Sequence, residues 1–138
     1  SMISLTKPSA ENMFVTAITT LWFSAISSAI VDNIPFVASM IPLVIDTAHA
    51  VLPSGPDFKS VVQHPTLMPV WWSLALGACL GGNGSPVGAS ANVITLGLAE
   101  KAGYPISFKK FIIYAIPITI ETIIIATIYV WLRYYAFI

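Results

Sequence analysis

The chain has 138 residues, 57% of them hydrophobic and 9% charged, with a mean hydropathy of +0.84. Soluble domains carry roughly a quarter charged residues, so this composition excludes an ordinary soluble globule and points to membrane spans. Six basic residues balance six acidic ones with no basic stripe, which excludes nucleic-acid partners. A single cysteine, Cys79, excludes an internal disulfide and a multi-cysteine metal site. Inside its apolar run it is expected to be a small buried hydrophobe.

Residues 1–11, "SMISLTKPSAE", are polar and lead into a helix, with Ser9 as a candidate N-cap. They lack the charged region, apolar core and small-residue cleavage site of a signal peptide. Ser1 before Met2 reads as the remnant of an expression tag. With its polar residues concentrated in motifs, the chain reads as an excerpt of a larger membrane protein, or a half that needs a partner.

Asn12 to Ile30 forms the first apolar arm. It has no charge, and Thr16, Thr20 and Ser24 recur at four-residue spacing on one helix face. Small side chains of this kind let membrane helices approach closely. "VDNIP", residues 31–35, interrupts the apolar sequence, and a second arm runs from Phe36 to about Leu52. Asp46 and His49 lie three apart near its end, as polar residues of a membrane interface or, less simply, a metal or proton site. Residues 53–68 are rich in prolines and polar side chains and are expected to form an aqueous loop, with His64 solvated.

The next apolar run, from Pro69 to Leu80, starts near the interfacial pair Trp71 and Trp72. At ~1.5 Å per residue its length is about 18 Å, too short for a hydrocarbon core of ~30 Å. "GGNGSPVGASAN", residues 81–92, follows, and then apolar sequence to Ala99. Neither piece spans alone; together they do, as 69–99 broken at 81–86. Gly81 and Gly82 suit a helix end because glycine accepts positive φ. Ser85 and Pro86 suit a restart, with serine as N-cap and proline at the first helical position. The second half-helix would then present its N–H groups and positive dipole end to the gap. Asn83 supplies both an amide oxygen and amide donors there. A phosphate-binding loop is excluded, because Ser85 and Pro86 follow Gly84 where that motif needs lysine and then serine or threonine. "NGS" as a glycosylation acceptor is a chance match, and a β-turn fails because the flanks do not alternate. A plain loop between two short buried helices stays open.

Residues 100–110 hold three lysines, which places this loop in the cytoplasm and the 53–68 loop outside. Residues 111–133 form the last transmembrane helix, containing Pro117 and Glu121 and ending in the aromatic and basic belt of Trp131, Arg133, Tyr134 and Tyr135.

"VDNIP" fits either a surface turn between two full spans or the tip of a re-entrant hairpin. Pro35 suits a first helical turn, and Asp32 or Asn33 can cap it. In the hairpin case Asp32 is an ionisable group inside the membrane, which marks a functional site. Irregular backbone at membrane depth survives only where protein or water covers it, and transporters use such breaks in pairs around an ion near the midplane.

"SAIVDNIPFVASMIPL" followed by "ALGACLGGNGSPVGASANVITLGLAEKAGY" resembles the ArsB/NhaD permeases of the ion transporter superfamily, relatives of the P protein and the citrate and dicarboxylate carriers. The match covers most of residues 20–120. The resemblance implies an all-α membrane protein in which two inverted repeats each supply a re-entrant helical hairpin and a broken helix. This chain would be the C-terminal repeat: a hairpin over 12–52 with its tip at 31–35, the broken helix and the last helix. It implies elevator-type secondary transport of a small inorganic ion or oxyanion, as in arsenite efflux or Na+/H+ antiport, and no enzymatic activity. Carried over residue by residue, the binding positions are Asp32, Asn33, Pro35, Asn83, Gly84, Ser85, Ser90 and Asn92. Sodium would lie among Asp32, Asn33, Asn83 and Ser85, and Na+ or H+ would be the coupling ion without any further cofactor. The implied partners are the transported ion, the lipid bilayer, the missing N-terminal repeat and a second copy in a homodimer, in the plasma (inner) membrane. A citrate or dicarboxylate carrier is the alternative, but the tips carry Asp-Asn-Ile and Asn-Gly-Ser rather than Ser-Asn-Thr, and Asp32 would repel a dianion. Glu121 is a second candidate carboxylate, or a residue paired to a neighbouring helix. From other classes, a non-transporting membrane subunit or scaffold predicts breaks that tolerate substitution, and an intramembrane protease lacks a partner for Asp32.

Overall fold

The computed structural model describes residues 10–52 and 58–136. Among these, every regular element is helical: α1 (Ala10–Ser28), α2 (Asn33–Val51), the short α3 (Phe58–Val62), α4 (Met68–Gly81), α5 (Ser90–Lys101) and α6 (Phe108–Tyr134), with 3-10 turns at Pro65–Leu67 and Gly82–Gly84. The proposed cap Ser9 lies outside the described residues. α6 is long and apolar enough to cross a bilayer, and the flank of isoleucines at 113, 118, 124, 125 and 128 is exposed as a lipid-facing surface would be.

The centre of the fold is the seam between α1 and α4. Their contacts rise together along both helices, Leu21 to Gly77 and Ala25 to Gly81, so the two run parallel. The seam is closed to the backbone. A methyl group at Gly77 would lie 2.3 Å from the Leu21 carbonyl oxygen, and one at Gly81 2.2 Å from that of Ala25. Ser28 Oγ locks the register by donating to the Ala78 carbonyl at 2.7 Å. The residues of α1 on this seam are Leu21, Ser24, Ala25 and Ser28, one helical stripe. Thr16 and Thr20 lie beside it, with Met40 and Val44 of α2, and Thr20 returns its hydroxyl to the Thr16 carbonyl at 2.7 Å. Close approach by small residues is therefore the right principle, but the face is rotated from the Thr16–Thr20–Ser24 row. Cys79, expected to be buried, is exposed on the flank of α4 away from the seam.

α2 returns antiparallel to α1, with Phe36 near Phe23, and buries Val44 and Ala48 in the same core as Leu67 and Val70. The 58–67 stretch is not a plain aqueous loop. It folds as α3 and a 3-10 turn, buries Leu67 and receives the Trp71 indole N–H on the Val62 carbonyl at 3.1 Å. His64 is not simply solvated: its Nδ1 caps the turn by accepting from the Thr66 N–H at 3.3 Å.

α6 runs antiparallel to α1 and α4. Tyr135 packs edge-on against Phe14 with ring centroids 5.0 Å apart, and Trp22 donates to Thr127 Oγ1 at 3.2 Å. Within α6 the buried residues are Thr119, Ile123, Ala126 and Val130. Thr119 is the first of them and lies about 17 Å from the helix start at ~1.5 Å per residue. The C-terminal ends of α1 and α4 reach only to this level. Both the turn after α1 and the break after α4 therefore lie opposite the middle of α6, which among the described residues is the one helix long and apolar enough to span.

Candidate functional site

The turn at 29–32 begins where α1 ends. Ala29 and Val31 N–H groups still bond back to Ala25 and Ser27, and the chain then reverses at Asp32. Asp32 is the N-cap of α2: its Oδ1 accepts from the Ile34 N–H at 3.2 Å, and Pro35 lies in the first turn where no backbone donor is needed.

The break after α4 is longer than the sequence suggests. α4 tightens into a 3-10 turn over Gly82–Gly84, and α5 starts at Ser90 rather than at Ser85–Pro86. Ser85 does behave as a local cap, its Oγ accepting from the Gly88 N–H at 3.0 Å, but the turn it starts does not propagate. The same hydroxyl donates to the Ala29 carbonyl, tying the break to the end of α1. Gly81 and Gly82 keep right-handed helical backbone; the positive φ expected there is absent, and among the described residues the positive-φ glycine is Gly103, in the 102–107 loop. Glycine is required in the break for contact instead. A methyl at Gly88 would lie 2.6 Å from the Gly82 carbonyl oxygen and 2.8 Å from that of Ser28.

Asn92, one turn into α5, reaches back and donates its amide to the Gly82 carbonyl at 3.0 Å and the Ser85 carbonyl at 2.9 Å. It is a brace that holds the unwound segment. Removing the amide donor leaves two part-buried carbonyls without it, at ~1–3 kcal/mol for each group so stranded. Asn92→Asp and Asn92→Leu are both expected to lower the melting temperature of the detergent-solubilised protein by several degrees. An unchanged melting point in both would remove the brace.

The turn and the break meet directly. Ser90 Oγ, at the first position of α5, donates to Asp32 Oδ2 across 58 residues of chain. The N-terminal ends of α2 and α5 thus converge on one carboxylate, and each adds a positive partial charge beside it. Of the residues singled out in the sequence, Asp32, Ser85, Ser90 and Asn92 form this junction. Asn33 is half-buried beside Asp32 at the start of α2, while Pro35 is exposed. Gly84 packs against Ala29 and Thr119, where a methyl would meet Ala29 Cβ at 3.4 Å. Asn83 points outward and lines a cavity of about 430 Å3 against α6. Glu121 lies on the exposed side of α6, away from the break, and Asp46 and His49 are exposed on α2. Among the described residues, no three His, Cys, Asp or Glu side chains are grouped to hold a metal. Sequence reasoning missed Thr119, which no local signal separates from the other threonines of α6.

A chain with this composition and a bilayer-length helix has the character of a membrane protein, and comparison with known proteins finds relatives of that kind. It is 44% identical over 130 residues to a Mycobacterium bovis protein named "uncharacterized transporter" and 46% identical over 120 residues to the "46 kDa membrane protein" of Mycobacterium leprae. It is 37% identical over 122 residues to the human P protein. These matches cover 94%, 87% and 88% of this chain, but the chain spans only 28%, 26% and 13% of the respective relatives. No family model matches the chain, and no solved structure does. One of these relatives is named a transporter and another a membrane protein, and the similarities support a membrane location for this chain.

Proposed function

We propose that the chain is one repeat of a secondary ion transporter of ArsB/NhaD type. In this reading α1 and α2 form a re-entrant hairpin, and α4 and α5 are the halves of a broken transmembrane helix. An inverted N-terminal repeat completes the site, the full transporter is a homodimer, and the site-bearing part moves in elevator fashion across a plasma membrane. The observation that carries the reading is the Asp32–Ser90 hydrogen bond, which joins the hairpin tip to the break opposite the middle of α6. Asp32 is the carboxylate for the coupling ion, Na+ or H+. The oxygens of Ser90, Asn33 and Ser85 extend the donor set, and oxygen ligands of this type suit hard cations. The transported species is a small inorganic ion, oxyanion or neutral hydroxide, because a dianion beside Asp32 would be repelled.

The test is flux into proteoliposomes containing the intact transporter, with arsenite, sodium and succinate offered under imposed sodium and proton gradients. Gradient-driven arsenite or sodium movement is expected, with little succinate movement. Succinate as the preferred species would replace this reading with the dicarboxylate carrier, and absence of all three fluxes would favour a non-transporting subunit.

A further inference from the structure

From α6 the sequence offers Glu121 alone as a candidate for the site, and that carboxylate lies on the exposed side of the helix, yet α6 forms one wall of the break. Thr119 is 7% exposed, and its Oγ1 is buried without a hydrogen-bond partner among the described residues. An unpaired buried hydroxyl is destabilising, so a position that keeps one calls for a reason. The neighbouring threonines of α6 illustrate the alternative: Thr122 and Thr127 return their hydroxyls to carbonyls of their own helix at 2.9 and 2.8 Å. Thr119 does not. Its hydroxyl faces Gly84, 3.7 Å from where a methyl there would lie, at the centre of the unwound segment.

The second observation is the cavity. A volume of about 430 Å3 runs between the break and the first half of α6, with Asn83 and Thr119 in its lining at one end and Lys110 at the other. Lys110 to Thr119 covers about 14 Å along the helix at ~1.5 Å per residue. Lys110 belongs to the basic loop end, so the cavity links that membrane face to the mid-depth break. Tyr114 and Ile106 line its length and make it mostly apolar. The polar groups at its two ends are an ammonium, which only donates, and an amide and a hydroxyl, which both donate and accept. A bare cation entering here passes an ammonium of like sign; a solute with acceptor oxygens does not meet that barrier.

We propose that this cavity is the inlet to the site from the side of the 100–110 loop, and that Thr119 is a binding residue contributed by the last helix. Its hydroxyl and the Asn83 amide hydrogen-bond a small oxyacid or its anion when α6 moves away from the Gly84 segment to admit it. This rests on the transport reading above and adds a residue and an entry side to it.

Two measurements on the intact transporter test it. The first needs no flux. Thr119→Cys, in a background where Cys79 is alanine and other reactive thiols are removed, is treated with a small membrane-impermeant methanethiosulfonate applied from the 100–110 side. It is expected to react at least tenfold faster than Ile124→Cys, which lies on the exposed flank of α6. Equal, slow reaction at both positions overturns the inlet. The second is arsenite uptake. Thr119→Val, which keeps the shape and removes the hydroxyl, is expected to raise the half-saturating arsenite concentration at least fivefold with the maximal rate kept within twofold, and Thr119→Ser is expected to restore it. An unchanged half-saturation in Thr119→Val overturns the binding role. If the unmodified protein carries no arsenite, the transport reading fails for that solute, and the labelling result alone then decides the inlet.

Discussion

Gly81→Ala is expected to abolish assembly of the hairpin with the broken helix. The added methyl would sit 2.2 Å from the Ala25 carbonyl oxygen, 2.4 Å from its Cα and 2.6 Å from its carbonyl carbon. All three are backbone atoms of α1, so no rotamer change relieves the overlap. The helices must separate along the seam, and the Ser28–Ala78 hydrogen bond and the packing of Leu21, Leu74 and Ala78 go with it. Overpacking a fitted core costs about 1–3 kcal/mol where side chains yield, and more where they cannot. The measurement is thermal unfolding of the detergent-purified protein with monodispersity by size exclusion. A fall in melting temperature of roughly 5 °C or more, or loss of the monodisperse species, is expected. Gly97→Ala is the control: nothing lies within 4 Å of the added methyl, and alanine in a helix is favoured by up to ~1 kcal/mol, so stability should hold or rise. A Gly81→Ala protein that melts with the Gly97→Ala protein would show that the seam is not close-packed.

Asp32→Asn is expected to separate folding from transport. Asparagine is as good an N-cap as aspartate, so it can keep the bond from the Ile34 N–H, and its oxygen can still accept from Ser90. The substitution removes the charge and little else. Melting behaviour should therefore stay close to that of the unsubstituted protein. Gradient-driven flux of the transported ion should fall at least tenfold, because the neutral side chain neither holds a cation nor exchanges a proton. Asp32→Ala, which also removes the cap and the link to Ser90, should lower both stability and flux. Full gradient-driven flux in Asp32→Asn would exclude this carboxylate from coupling.

The two predictions mark what could and could not be read from the chain. The apolar arms, their interruptions at 31–35 and after Leu80, and Asp32 as a candidate come from local rules: hydropathy, capping chemistry and the cost of a charge among apolar residues; Ser90 enters only through the family resemblance. The second half-helix restarts four residues beyond the position that capping chemistry indicates, with Ala89 rather than Ser85 as its N-cap. Ser85–Pro86 is a good local start, but the Ser85 hydroxyl is engaged by the Ala29 carbonyl, and Asn92 holds the segment unwound from the far side. Those bonds join residues 56 and 7 apart, the first beyond any local pattern. Gly81 and Gly82 read as conformational, but their role is contact: Gly81 meets Ala25 on a parallel helix 56 residues earlier, and Gly82 meets the Gly88 carbonyl across the break. Whether "VDNIP" is a surface turn or lies at depth depends on where it falls along α6. Arm length alone carries no such information; the contacts of Gly84 with Ala29 and Thr119 set the end of α1 beside the middle of α6.

The α1–α4 seam has a mechanical consequence. Two parallel helices whose main chains touch at Gly77 and Gly81 cannot slide or roll against each other without separating, because a register shift of even one residue brings a side chain to a glycine position. The turn after α1 and the break after α4 are therefore fixtures on a single strut. Any displacement that carries Asp32 through the membrane carries Ser85 and Ser90 by the same amount, and flexibility has to be found outside this pair, where α5 leaves the strut and buries none of its own residues.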